Sequence, residues 1–392
     1  MHFAIRSVLF IFILIAPYSS GAQDSLLKKM AAENHATFTY EGDTFSGEGW
    51  VNIKKQVQST YNVLIGEDHF TNEIPAFVEA VLQAGEFDNF IIELDPYSTE
   101  IIENSIMSYS DKERRAFNEK YKSHFSFYGL APEYNLLTLA VQEGINLMGA
   151  EQIVKFGDLL VLQELASITK NEQARNIYKV MIDRSEEQFE KFLNDPEQPL
   201  YFMSSHFKDQ LEILDSLELS GMEESVIKEM KISRSIYEQN NHKMRIQLIK
   251  RILLNNFPEW YQTKNLFKYG AVHMPSGESL LSIYDVGNLV SNVSDARFDD
   301  SYHIAVVAKS GMKGAPFPGF PKSQINSSKG MLSNLAPFFD FVKENKWYAF
   351  DLLPIRRALN DGELALQNVL LERVVQGYNT LVIIPEATAA EF

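Results

Sequence analysis

The sequence predicts an α/β protein: a mostly parallel sheet flanked by helices, with a large helical insertion. Three observations predict it. Short apolar runs bounded by turn or charged residues recur along the chain, helical periodicity separates the first three, and residues from about 155 to 260 carry helical pattern almost alone.

The first 22 residues read as a secretion signal outside the fold. His2 and Arg6 precede the apolar run Val8 to Ala16, and small residues follow up to Ala22, the expected cleavage point. The run is shorter than the roughly 20 residues that span a bilayer, and no later segment is apolar enough to do so. Residues 23–392 are then expected to form one α/β domain in a bacterial periplasm or outside the cell, with no stable membrane insertion. The chain has no Cys, which excludes disulfides and thiolate chemistry. Its net charge of −16 argues against nucleic acid or anionic membranes as partners, since both select clustered Lys and Arg.

Strands are expected at Tyr61 to Ile65, Phe90 to Leu94, Asn146 to Gly149, Leu266 to Tyr269 and Ile304 to Ala308, with a sixth at Thr380 to Ile384. Ile74 to Ala84 and Leu136 to Val141 show helical spacing, so the first strands belong to right-handed βαβ units. In the insertion, helices are expected at Gly157 to Ile168, Ala174 to Leu193, His206 to Leu217 and, as one long element, Met222 to Asn255, closed by Pro258. The block should pack over the C-terminal edge of the strands. Residues 311–333, rich in Gly, Pro and Ser, read as a long loop.

Two short patterns carry the chemistry. Gly66-Glu67-Asp68-His69 and Gly270-Ala271-Val272-His273 both place Gly-x-x-His directly after a strand. With 20 Gly and 8 His in 392 residues, about 0.4 such matches arise by chance. Two at strand ends point to a site, because ligands of open α/β sheets bind outside the carboxyl ends of the strands. Gly is expected to turn the chain sharply off each strand so that the imidazole faces the crevice. There it can move a proton near neutral pH or ligate a metal. Glu67 shares the first turn and can orient the ring. Glu93 ends the second strand, Asp95 would share its face, and Glu151 follows the third strand. Asp68 and Glu73 suit the N-terminus of the next helix. Glu73 and Lys268 are also candidate substrate contacts, and Arg234 and Arg245 could hold an anion or simply be solvated helix charges. His35, His124, His206, His242 and His303 lack such context and read as surface or satisfied core residues.

At these residues the sequence resembles the erythromycin-esterase/TIKI/ChaN superfamily. The likeness rests on Gly66-Glu67-x-His69 with Glu73 four residues on, the carboxylate Glu93 ending the second strand, and the late Gly270-x-x-His273, in that order over roughly 60–280. It implies an α/β fold with a parallel-rich sheet. Resemblance to erythromycin esterases implies a glutamate–histidine pair activating water for lactone hydrolysis without a required metal. Resemblance to TIKI and TraB-like members implies metal-dependent proteolysis, and to ChaN-like members, haem binding. Carried over, Glu67 and His69 match the first motif, Glu93 the acidic residue and His273 the second histidine. Where erythromycin esterases tend to carry Arg-Asp-x-x-Met, this chain has Asn240-Asn241-His242-Lys243-Met244.

The leading expectation is an exported hydrolase acting on an ester, lactone or amide bond in a small-molecule or peptide substrate, with no required cofactor. His69, oriented by Glu67, is the general base, His273 the acid or oxyanion stabiliser, and Glu93 tunes one of them. The alternatives are a metallopeptidase holding zinc or manganese on His69, His273 and Glu93, and a non-catalytic binder of haem or another small ligand.

Overall fold

The computed structural model describes residues 20–343 and 345–392. Its strands are β1 (His35–Glu41), β2 (Thr44–Ser46), β3 (Asn62–Glu67), β4 (Asn89–Ile92), β5 (Asn146–Gly149), β6 (Asn265–Gly270), β7 (Ser301–Ala308), β8 (Met312–Lys313), β9 (Ser323–Gln324), β10 (Trp347–Asp351) and β11 (Thr380–Ile384). Nine of them form one sheet in the order β2-β1-β10-β11-β7-β3-β6-β4-β5. The six expected strands are its parallel part, from β11 to β5. The α/β architecture with a mostly parallel sheet is therefore as the apolar runs require. Every residue of β3, β4, β6 and β11 is buried, as strands covered on both faces must be.

An asparagine ladder sets the register. Asn62, Asn265, Asn89 and Asn146 open β3, β6, β4 and β5 and stand opposite one another. Asn265 Nδ2 donates to Asn62 Oδ1 at 2.8 Å, Asn89 Nδ2 to Asn265 Oδ1 at 2.8 Å, and Asn146 Nδ2 to Asn89 Oδ1 at 3.0 Å. With the starts aligned, the far ends align too, so that Glu67 lies beside Gly270. A one-residue slip would turn every side chain to the other face.

The structure departs from expectation in three places. Antiparallel strands β10, β1 and β2 extend the sheet past β11. Partly exposed residues break the apolar pattern in β1 and β2, whereas Trp347 to Phe350 of β10 are buried and form a short apolar run that the sequence reading passed over. The expected long helix from Met222 to Asn255 is two, Gly221–Gln239 and His242–Asn255. Asn240 breaks it in the left-handed region (φ 46), and the Asn241 side chain caps the second helix by accepting from Met244 N–H at 3.0 Å. Residues 311–333 hold the β8–β9 ladder rather than plain loop, and Phe317 packs edge-to-face with Phe156, Phe189, Phe192 and Phe320. The expected N-terminal signal lies, but for its last residues, outside the described residues, which begin with the helix Ser20–Glu33. Leu27 and Ala31 of that helix are wholly buried.

Two apolar layers sandwich the sheet, and a third cluster, built from Val161, Tyr178, Phe202, Phe207, Ile227 and their neighbours, is the insertion's own core. No helix among the described residues is long and apolar enough to cross a membrane.

Candidate functional site

β3 ends at Glu67 and the chain turns at once. The turn residue is Phe70, whose φ of 77° is left-handed, a costly conformation for a bulky side chain. Its carbonyl is held by the N–H groups of Gly314 at 2.7 Å and Ala390 at 3.1 Å. The expected role of the motif glycines is thereby corrected: neither Gly66 nor Gly270 has positive φ. They are needed for space. A Cβ on Gly66 would stand 2.3 Å from the Tyr378 hydroxyl, and one on Gly270 would stand 3.1 Å from His69 Nε2 and 3.6 Å from Glu93 Oε2.

His69 Nδ1 donates to Glu67 Oε1 at 2.7 Å, and its ring stacks on Phe127 with centroids 4.0 Å apart. The bond fixes which nitrogen is free. Nε2 faces Glu93 Oε2 at 3.6 Å. On the other side His273 Nδ1 donates to Asp285 Oδ2 at 3.0 Å, and its Nε2 stands 3.6 Å from Glu93 Oε1. Both gaps are too long for hydrogen bonds. Two carboxylate-held imidazoles thus flank one carboxylate, which itself accepts from Gly270 N–H at 2.7 Å and Arg245 Nη2 at 2.7 Å. Arg245 also grips Glu151, with Nε 3.0 Å from each oxygen.

The electrostatics follow from burial and these contacts. Burial opposes the charge on Glu93, but His273, His69 and Arg245 outweigh it and hold the carboxyl at about 2. Burial works against protonating His69, yet Glu67 and then Glu93 carry its pKa above the ordinary histidine range. Burial also opposes ionised Glu67, and Lys268 with His69 overcomes it, leaving the carboxyl below its usual value. On the far side of Lys268, burial, opposed by Lys268 and reinforced by Glu67, pushes Glu133 up to about 7.

Glu67, His69, Glu93 and His273 therefore come together, with Glu151 joined through Arg245. Other candidates do not join them. Lys268 is fully buried and paired with Glu67 at 2.6 Å and Glu133 at 2.9 Å, so it supports Glu67 from behind and presents no exposed face to a substrate anion. Glu73 accepts from the Thr388 N–H and hydroxyl, fastening the C-terminal segment rather than facing the cluster. Asp68 pairs with Lys313 instead of serving the helix. Asp95 caps the helix Pro96–Ser108 through Ser98 N–H at 2.8 Å, and burial pushes it up to about 6. Arg234 is committed to the carbonyls of Phe202 and Met203 and to Glu238.

Of the five set-aside histidines, His124 and His303 are satisfied core residues that burial holds down at about 4. His242 is different. Its ring lies 5.7 Å from that of His273, and its Nε2 is buried without a partner. Donor atoms of His242, His273 and Asp285 lie within 4.8 Å of one another. Asp285, Glu133 and the part played by Arg245 escaped the sequence reading. Arg245 does follow the Asn240 to Met244 segment directly, one residue beyond the stretch that lacked an arginine.

An apolar cavity of about 380 Å³ opens beside the cluster, with Glu67, His69 and Gly270 at one end.

No protein-family model matches the sequence, and no curated protein matches it. Solved structures do. A succinoglycan biosynthesis protein is 13% identical over 95% of this chain and 99% of its own, with a TM-score of 0.55. A histidine-to-asparagine variant of erythromycin esterase EreC in its open conformation is 11% identical over 90% of this chain and 98% of its own, with a TM-score of 0.54. A Bacillus cereus protein is 11% identical over 94% and 98%, at 0.53. At such identities the likeness is one of fold. This chain has the α/β fold that erythromycin esterase also has.

Proposed function

We propose that the protein is an exported hydrolase that activates water against an ester, lactone or amide carbonyl. The observation that carries the reading is the approach of His69 Nε2 and His273 Nε2 to opposite oxygens of Glu93, 3.6 Å each, with both outer nitrogens held by carboxylates. A glutamate-held imidazole whose pKa is raised is a strong proton acceptor near neutral pH. His69 takes a proton from water as the oxygen attacks the carbonyl carbon. His273 gives a proton to the leaving atom. The ionised Glu93 between them balances the imidazolium charge and lets the pair reset, since one ring gains the proton that the other loses. Arg245 holds Glu93 in place and is a quarter exposed, near enough to the gap to steady a developing oxyanion. Export is part of the proposal, resting on the basic, apolar and small-residue order of the first 22 residues.

The test is turnover of p-nitrophenyl esters, lactones and amides by the purified chain and by His69→Asn. Loss of roughly 10²–10⁴-fold in the variant is expected. Full turnover by the variant on a substrate the wild type cleaves contradicts the reading.

A metal-dependent version with zinc or manganese on His69, His273 and Glu93 has less support. Glu93 spends one oxygen on Gly270 N–H and the other on the Arg245 guanidinium, which already supplies the positive charge. His242, His273 and Asp285 have the better spacing for an ion. Stoichiometric zinc or manganese by elemental analysis, lost in His242→Ala, would replace the metal-free reading. Haem binding needs an imidazole nitrogen free toward an apolar slot, whereas His69 Nε2 faces Glu93. Titration with haemin is expected to leave its Soret band unchanged.

A further inference from the structure

We propose that the cavity beside His69 is an acyl pocket, and that the substrates are esters of medium-length, apolar acyl chains. The inference rests on the hydrolase reading and names the substrate class for the same site. Other surface cavities of this molecule are as large, but the one of about 380 Å³ that His69 lines differs from them in its mostly apolar wall. Its size falls within the roughly 300–1,000 Å³ of small-molecule sites. Small residues in the lining leave the space open: Gly270 and Ala271 at the end of β6, and Ala305 within β7. The walls and roof are Val307, Leu332, Leu335, Leu370, Val374 and Leu381.

The lining decides the ligand chemistry. Asp68 and Lys313 neutralise each other, and the Tyr378 hydroxyl is spent on the Ala271 carbonyl. Apart from His69 and Glu67 at the end, Asn334 is the remaining polar side chain of the lining. A sugar or peptide placed here would give up its hydrogen bonds to water for almost none in return. A hydrocarbon chain loses nothing and gains burial. With the chain in the cavity, the carbonyl is left beside His69, whose Nε2 lies 3.6 Å from Glu93. Met331, which lines the cavity, is half exposed and carries the apolar surface outward.

The experiment uses the full chain with p-nitrophenyl acetate, butyrate, octanoate and palmitate, alongside Val374→Trp and Leu332→Trp. Octanoate binding is followed by calorimetry as a readout free of catalysis. The wild type is expected to gain roughly two- to fourfold in kcat/KM per added methylene up to octanoate, and to lose ground on palmitate. Each Trp variant should lose the octanoate binding, and its kcat/KM should no longer rise from acetate to octanoate; the two come from different elements, so either one carries the test if the other does not fold. His69-dependent acetate cleavage with no chain-length gain overturns the acyl pocket and leaves the hydrolase reading standing. Octanoate binding that both variants abolish, with no ester cleaved by the wild type, overturns the hydrolase reading and keeps the cavity as an apolar-ligand site.

Discussion

Arg245 donates through Nη2 to Glu93 Oε1 at 2.7 Å, and this bond ties the helical insertion to the end of a central strand. The same guanidinium holds Glu151, so one cation answers two carboxylates that are at least nine-tenths buried. Arg245→Ala strands both charges. Unfolding by urea should show a loss of about 3 kcal/mol or more, the cost of breaking a buried pair by removing one partner. Arg245→Lys should recover part of it, because a lysine cannot span both carboxylates in one plane. Unchanged stability in Arg245→Ala would mean that the network carries no such strain.

The motif glycines make a second prediction, in which two small changes separate stability from activity. Gly66→Ala drives a methyl into the Tyr378 hydroxyl and to 3.0 Å from the Ala271 backbone, and should cost about 1–3 kcal/mol in a thermal melt. Gly270→Ala presses instead on His69 Nε2. Its melt should move little, while kcat falls as the ring is displaced.

Stability should depend on Glu93 at acid pH. Its folded carboxyl titrates at about 2, below the unfolded value of about 4.3. The folded state therefore binds fewer protons, so this stabilisation is full above the unfolded value and is lost as pH falls through it toward the folded one. Urea midpoints measured from about pH 6 to about pH 3 should drop steeply for the wild type, and less steeply for Glu93→Gln, which no longer titrates there.

Turnover should rise with pH. His69 acts as a base only when neutral, and Glu67 and Glu93 hold its proton more tightly than in free histidine. The acid limb of kcat/KM should lie above the ordinary histidine value of about 6.5. Glu67→Gln removes the nearer charge and should shift that limb to lower pH while reducing the rate.

How much of this the chain discloses depends on what each residue answers to. The six parallel strands are legible because burial on both faces demands unbroken apolar runs. The outer strands β1 and β2 are not, since only Phe38 and Phe45 are buried there and their neighbours are partly exposed. The break at Asn240 was written in the Asn240-Asn241 pair, which suits a left-handed residue followed by a cap, yet the apolar spacing runs on through it. His69, His273, Glu67 and Glu93 announce themselves by lying at strand ends. Asp285 does not, because it lies 12 residues beyond its histidine and also serves as the N-cap of the helix Val286–Asp295. Lys268, in β6, reads as a substrate contact because no sequence pattern reveals that Glu133, on the helix Ala131–Gln142, is its partner.

The central claim is that His69 and His273 act as one acid–base unit through Glu93. A double-mutant cycle on kcat/KM with His69→Asn, His273→Asn and the double variant addresses it most directly. Groups that work as a unit lose most of their effect when either is removed. The double variant should therefore be little slower than the slower single one. Losses that simply multiply, or a single variant with wild-type turnover, would contradict it.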